Sequence, residues 1–190
     1  MTQSQALFCV SPTDVPQLQV RAVPPPRLRR GEVLVEQLAT SINPIDAKRA
    51  SGYGRRLLSL RGAGRFPLVL GNDIVGIVKG LGPGVSDLRI GALVIGIAPT
   101  GRYGAHASFV AVSRDLLRPV PEGCDVLAIA PLPYSFTTAW IALQGAGLTQ
   151  ASAADQKVLV SGASGALGQL SLQVLRDWGA RVTRSTASLA

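Results

Sequence analysis

Between Lys157 and Thr183 the chain reads strand, glycine-rich turn, helix, strand, and few folds accept that order. Lys157-Val158-Leu159-Val160-Ser161 has the apolar, β-branched character of a strand buried in a sheet. Gly162-Ala163-Ser164-Gly165-Ala166-Leu167-Gly168 follows at once. Leu167, Leu170, Val174 and Trp178 then recur at spacings of three or four, an apolar helical stripe that Gly179 is placed to cap. Arg181-Val182-Thr183 opens the next strand. A helix that starts from such a turn aims unpaired backbone N–H groups and the positive end of its dipole at one point, which suits a pyrophosphate. Gly165 permits close phosphate approach, and Gly168 permits close packing of helix on strand. The pattern departs from the usual G-x-G-x-x-G in placing Ala163 at the first glycine. A purely structural glycine turn is the plainer alternative.

The residues after that strand bear on the choice of cofactor. An acid about 20 residues beyond the turn would bind ribose hydroxyls. Arg184, Ser185, Thr186 and Ser188 stand there instead, with no acid after Asp177. Positive charge and hydroxyl donors suit a 2′-phosphate, so the expected cofactor is NADPH. The alternative is that these residues belong to an artificial chain end.

The first two-thirds of the chain are β-rich. Glu32–Ala39, Phe66–Val69, Asp73–Gly80, Ala92–Ile97 and Ala107–Val112 are strand-like, with turns at Gly82-Pro83-Gly84 and Gly101–Gly104. Such spacing suggests a barrel-like or sandwich domain. One helix interrupts it: Asn43 is suited to the N-cap, Pro44 to the first helical position and Asp46 to the first turn, and Gly52 marks the exit. After about residue 125 the character changes, and Ser135–Leu143 reads as a helix. The expected domains are 1–125 and 126–190.

Charge and composition exclude several classes. The formal net charge is +8, but the cations are scattered or paired and aromatic residues are 5% of the chain, too few for base-stacking platforms. No nucleic-acid partner is expected. Cys9 and Cys124 are far apart and outside any Cys/His cluster, so neither a disulfide framework nor structural zinc is supported. Apolar runs such as Val126–Pro133 are too short and interrupted to span a bilayer. The N-terminus lacks a basic segment followed by an apolar one, and the expected location is the cytoplasm.

Taken together, Ser41-Ile42-Asn43-Pro44-Ile45-Asp46, Ser51-Gly52-Tyr53-Gly54, Phe66-Pro67-Leu68-Val69-Leu70-Gly71-Asn72-Asp73, Thr138-Ala139-Trp140 and the glycine turn resemble the medium-chain dehydrogenase/reductase superfamily. The zinc-free quinone oxidoreductase branch is the nearest in pattern, and within it the reticulon-interacting mitochondrial oxidoreductases and their bacterial relatives. The likeness covers roughly Val33–Thr183. It implies a GroES-like β-rich catalytic domain, then a Rossmann domain, with nicotinamide bound in the cleft between them. It places Ser164, Gly165, Ala166, Leu167 and Gly168 on the pyrophosphate, Thr138 near the nicotinamide, and Asn43 and Tyr53 on the catalytic, substrate side. For Asn43 a capping role accounts for the residue equally well, and for Tyr53 a partly buried loop aromatic is the plainer reading.

In zinc-dependent relatives a cysteine would fall near Ile42–Asp46 and a His-Glu pair near Asn72-Asp73; neither is present. The only histidine, His106, has no metal-ligand neighbour in sequence and reads as structural or exposed. The expected activity is zinc-independent hydride transfer from NADPH to a quinone or related conjugated carbonyl. Reduction of an enoyl thioester or other activated double bond is the alternative, and a non-catalytic nucleotide-binding protein is the alternative outside enzymes. The resemblance also implies a longer chain, with a homodimer in the full-length form, so a fragment is expected.

Overall fold

The computed structural model describes residues 4–13, 15–56, 65–99 and 104–185. Residues 101–103 of the turn expected at Gly101–Gly104, and Thr186 and Ser188, lie outside them. Backbone contacts divide the chain into Met1–Pro133 and Tyr134–Ala190.

In the first unit, β3 (Glu32–Ala39), β5 (Asp73–Leu81), β6 (Leu93–Ile97), β7 (Phe109–Ser113) and β8 (Leu117–Pro119) form a five-stranded sheet in the order β7-β3-β5-β6-β8. Every pairing in it is antiparallel. Alternation along these strands sends Val33, Val35, Ile74, Val78, Val94, Val110 and Val112 inward, each at most 2% exposed. β1 (Gln5–Cys9), β2 (Leu18–Ala22) and the two-residue β4 (Leu68–Val69) make a second, three-stranded sheet in the order β2-β1-β4. A bridge from Ala6 to Ala107 and the bond from Leu7 N to His106 O (2.9 Å) tie that sheet to the start of β7. β2 and β8 were not among the expected strands. They are short and lack the long apolar alternation that marks β3 and β5.

In this unit α1 (Pro44–Ala50) lies between β3 and β4. Asn43 is extended (φ −105°, ψ 156°), and its backbone N–H donates to Asp46 Oδ2 at 2.8 Å. Pro44 opens the helix, where its missing N–H costs nothing. Gly52 leaves the helix at φ +93°, a conformation that glycine adopts without strain.

The second unit holds α3 (Leu132–Gly145), β9 (Lys157–Ser161), α4 (Ala166–Asp177) and β10 (Arg181–Ser185); the short α2 (Val126–Ile129) precedes them. β9 and β10 pair in parallel, with Val158 opposite Val182 and Val160 opposite Arg184. Leu143, Ala153, Val174, Leu175 and Trp178 form the core, with Trp140, Val158, Val160 and Val182 against it.

Two expectations change. Of the expected stripe Val174 and Trp178 are buried, but the buried seam of α4 runs through Gly168, Leu172, Val174 and Leu175, and Leu167 is 45% exposed. The phase is set by Gly168: a Cβ there would lie 2.7 Å from Ala163 Cα, so only glycine lets the helix sit on the turn. β9 is not buried on both faces, since Leu159 is 66% exposed. Val126–Gly145 is 20 residues long and apolar enough by length and composition to cross a bilayer, with a mean hydropathy of 1.5 over an 18-residue window that is 22% buried. Pro131 lies at the break between α2 and α3, Pro133 sits in the first turn of α3, and Leu143 of α3 is spent in the core.

Candidate functional site

Two groups of residues carry chemistry, one in each unit. In the first unit the segment before α1 meets the start of β5. Asn43 Nδ2 donates to Asp73 Oδ2 at 2.7 Å and lies 3.2 Å from Ser41 Oγ, and the Ser41 hydroxyl donates to the same Asp73 oxygen. Asn43 and Asp73 are 6% and 0% exposed. The Asp73 backbone carbonyl accepts from Thr40 Oγ1 (2.8 Å) and Gln37 Nε2 (3.2 Å). Burying a carboxylate is costly unless donors surround it, and Asn43 and Ser41 are such donors.

Asp46 extends the network. One carboxylate oxygen caps α1 through Asn43 N, and the other accepts from Gly71 N at 2.9 Å. His106 closes it: Nε2 lies 3.0 Å from the Ser41 carbonyl, which can only accept, so the proton sits on Nε2. Gly71, at φ +95°, leaves no room for a side chain, because a Cβ would lie 2.8 Å from His106 N. His106 is therefore structural, as its isolation in the sequence suggested.

Tyr53 stands apart. It is 64% exposed, not the partly buried aromatic of the plainer reading, and Lys48 Nζ lies 5.8 Å from its ring centroid. The structure links Asn43 to Ser41 and Asp73, and gives no hydrogen bond between Asn43 and Tyr53. With both donors of its amide nitrogen turned to Ser41 and Asp73, Asn43 has none to offer an acceptor molecule. Sequence reasoning missed Ser41 and Asp73 as partners. The available signal was an acid opening the otherwise apolar run Asp73-Ile74-Val75-Gly76-Ile77-Val78. Among the described residues, no group of three or more His, Cys, Asp or Glu side chains is placed to hold a metal ion.

In the second unit the glycine turn lies at the carboxyl ends of β9 and β10. Gly162 turns the chain at φ +68°, and Gly165 N donates back to Gly162 O at 3.1 Å. Ala163 N donates to Ser185 O at 3.1 Å, so the turn and the end of β10 are joined directly. The first i to i−4 bond of α4 is Gln169 N to Gly165 O at 2.9 Å. Ala166, Leu167 and Gly168 therefore have no intrahelical acceptor for their N–H groups. Ser164, Gly165, Ala166 and Leu167 are exposed around them, and so are Arg184 and Ser185. The structure thus brings Ser164–Gly168 and Ser185 together, with Arg184 next along β10. Thr138, in α3, donates its hydroxyl to Tyr134 O at 2.7 Å and has no hydrogen bond to the turn. An anionic, phosphate-bearing group fits the donor set of this turn: three first-turn amides with no acceptor among the described residues, at the positive end of a helix dipole.

The alcohol dehydrogenase GroES-like domain family matches residues 29–122. The chain is 33% identical over 171 residues to mitochondrial reticulon-4-interacting protein 1 from Caenorhabditis elegans, covering 85% of this chain and 47% of that protein. It is 35% identical over 161 residues to the human mitochondrial NAD(P)H oxidoreductase RTN4IP1, covering 80% and 41%. Among solved structures it resembles an alcohol dehydrogenase superfamily protein from Novosphingobium aromaticivorans (TM-score 0.85, 30% identity, 97% of this chain and 54% of the other). It also resembles the quinone oxidoreductase of Coxiella burnetii (0.79, 29%, 96% and 56%) and the JamJ enoyl reductase (0.81, 28%, 98% and 55%). The chain spans about half the length of the curated relatives it matches.

These relatives overturn the cytoplasmic expectation, since both curated ones are mitochondrial by name. That expectation rested on the lack of an apolar signal segment, which bears on secretion and not on import into mitochondria. A GroES-like β domain followed by a strand, glycine turn and helix, with these relatives on both sequence and structure, establishes that the chain belongs to the medium-chain dehydrogenase/reductase superfamily, among its quinone-oxidoreductase-like members.

Proposed function

We propose that the protein is an NADPH-dependent oxidoreductase that passes hydride, without zinc, to a quinone or related conjugated carbonyl. The observation that carries this reading is the turn at Gly162–Gly168, with three unpaired first-turn amides beside the end of a strand that bears Arg184 and Ser185 and no acid. The amides of Ala166, Leu167 and Gly168 hold the pyrophosphate, and Arg184 with Ser185 holds the 2′-phosphate. When bound, the dinucleotide supplies the hydride.

The remaining residues orient and protonate. Thr138 has given its hydrogen to Tyr134 O, so its oxygen can only accept, which suits the N–H of a carboxamide. Tyr53 is exposed, with no hydrogen bond on its hydroxyl among the described residues, and serves as the proton source for the reduced acceptor. Asn43 acts through position: together with Asp73 and Asp46 it fixes the segment from Ser41 to Tyr53. Quinones and conjugated carbonyls take up electron density themselves, so no metal Lewis acid is required by this chemistry.

Steady-state oxidation of NADPH with simple quinones is the test. Turnover that falls in Tyr53→Phe supports the reading. Cofactor binding without turnover on any acceptor would favour a non-catalytic nucleotide-binding role. The likeness to the JamJ enoyl reductase gives enoyl thioesters a place in the same acceptor panel.

A further inference from the structure

We infer that the strap Val23–Arg30, together with the exposed apolar side chains of β2, docks the protein on an anionic bilayer surface. The inference goes beyond the reductase reading and does not depend on it.

From Val15 to Gly31 the chain carries four arginines and neither an acid nor a lysine. Arg21 is already engaged: its guanidinium lies 5.1 Å from the centroid of the Phe8 ring, and Nε and Nη2 both donate to Gln19 Oε1. Arg27, Arg29 and Arg30 are exposed and form no ion pair among the described residues. The acid that follows, Glu32, is 8% exposed and accepts from the Arg29 amide at 2.8 Å, so little of it reaches the surface.

The backbone holds these three cations in place. Pro24-Pro25-Pro26 has no N–H to donate and a φ fixed at about −65°, which favours a polyproline helix of about three residues per turn. Exposure follows that period: Val23 and Pro26 are half-buried, while Pro24, Arg27 and Arg30 face solvent. At one end Val23 N donates to Ser4 O at 2.9 Å, and at the other Gly31 N donates to Pro83 O at 2.9 Å. Between them Leu28 packs over Gly80, where a Cβ would lie 3.3 Å from Leu28 Cδ1. A strap tied at both ends and stiffened by prolines loses little entropy when its cations meet a charged plane.

The neighbouring strand supplies the apolar part. β2 is the edge of its sheet, and Leu18 and Val20, two apart and so on one face, are 53% and 64% exposed. Val15, just before them, is 81% exposed. Aliphatic side chains beside guanidinium groups without ion pairs match an anionic lipid interface: headgroups take the charge and the acyl boundary takes the aliphatic groups. Nucleic acid would use the cations but leave Val15, Leu18 and Val20 in water, and residues 15–31 include no aromatic side chain for a base to stack on. A proline-recognition groove needs P-x-x-P, and no two prolines in this stretch are three apart.

The test is flotation of the protein with vesicles of phosphatidylcholine, alone or mixed in equal parts with phosphatidylglycerol. Binding is expected only to the mixed vesicles, and it should weaken as salt is raised. Arg27→Gln/Arg29→Gln/Arg30→Gln should bind about a hundredfold more weakly, at about fivefold for each cation near the surface. Leu18→Ser/Val20→Ser should lose the part of the binding that survives raised salt. All five side chains are exposed, so the thermal melts of both variants should match the native one. Arg89→Gln/Lys157→Gln/Arg176→Gln removes as much charge from elsewhere on the surface and should keep most of the binding. An equal loss in the two triple variants would assign the binding to net charge and overturn the inference, as would equal binding to both vesicles or none to either. Displacement by inorganic phosphate beyond that by sodium chloride of the same ionic strength would mark a discrete phosphate site and overturn it too. A single-stranded oligonucleotide that binds more tightly than the mixed vesicles, and is lost in the strap variant, would assign these arginines to nucleic acid and sink the proposal. Turnover plays no part in any of these readouts, so failure of the reductase reading leaves them untouched.

Discussion

Asn43 Nδ2 donates to Asp73 Oδ2 at 2.7 Å, joining the residue that starts α1 to the residue that starts β5. Thirty residues of chain separate the two. Because Ser41 binds the same oxygen, one buried carboxylate organises the whole approach to α1, and with it the position of Tyr53.

Removing that carboxylate should be costly. Asp73→Ala leaves the Asn43 amide and the Ser41 hydroxyl without their acceptor, and a loss of about 3 kcal/mol is expected in urea denaturation. Asp73→Asn, which keeps the size and one acceptor, should lose less. A loss below about 0.5 kcal/mol for the alanine variant would show that the network does not hold the fold.

Gly168 and Gly165 look alike in the sequence and differ in space. A Cβ on Gly168 would sit 2.7 Å from Ala163 Cα, whereas one on Gly165 would meet Gly162 O at 3.4 Å. Gly168→Ala should therefore cost about 1–3 kcal/mol and weaken dinucleotide binding, while Gly165→Ala should be the milder change in stability. Thermal melts and cofactor titration of both variants check the order.

The phase of α4 is also testable. Leu175 is fully buried and Leu167 is 45% exposed. Leu175→Ala is expected to cost about 2–5 kcal/mol and Leu167→Ala well under 1. A reversed order would restore the stripe expected from the sequence.

That expectation shows where the sequence was legible and where it was not. β3, β5, β6, α1 and the β9–turn–α4–β10 unit follow from periods of two and three-and-a-half, and from cap residues such as Asn43 and Gly179. The seam of α4 did not, because a leucine count favours Leu167 and Leu170, and the deciding residue is a glycine with no side chain to count. Nor did the burial of β9: its composition demands neighbours on both faces, and Leu159 has none on one side among the described residues. The glycine turn was legible because its chemistry is local. The Asn43–Asp73–Ser41 contact was not, since no local rule joins a cap to the first residue of a strand thirty positions on.

A surface pair gives the chain a pH signature. Arg114 donates to Asp87 at 2.9 Å and holds its carboxyl below the ordinary value, chiefly through that hydrogen bond. A depressed folded-state value means that the stabilisation is present above the unfolded carboxyl's pKa, about 4, and fades as pH falls through the folded one. The urea midpoints of the native protein and Asp87→Asn should differ at neutral pH and converge under acid. A gap that persists below that window would assign the effect to something other than this charge.

The most direct measurement follows from the tryptophans. Trp140 and Trp178, the only two in the chain, stack edge to face 5.1 Å apart in the unit that holds the glycine turn. Quenching of their emission on titration with NADPH and NADH reports binding without any need for turnover. Tighter binding of NADPH is expected, and Arg184→Glu should remove about 1.5–3 kcal/mol of it, roughly ten- to a hundredfold in Kd, while leaving NADH nearly unchanged. Equal affinity for the two cofactors, or an Arg184→Glu variant that still prefers NADPH, would contradict the account.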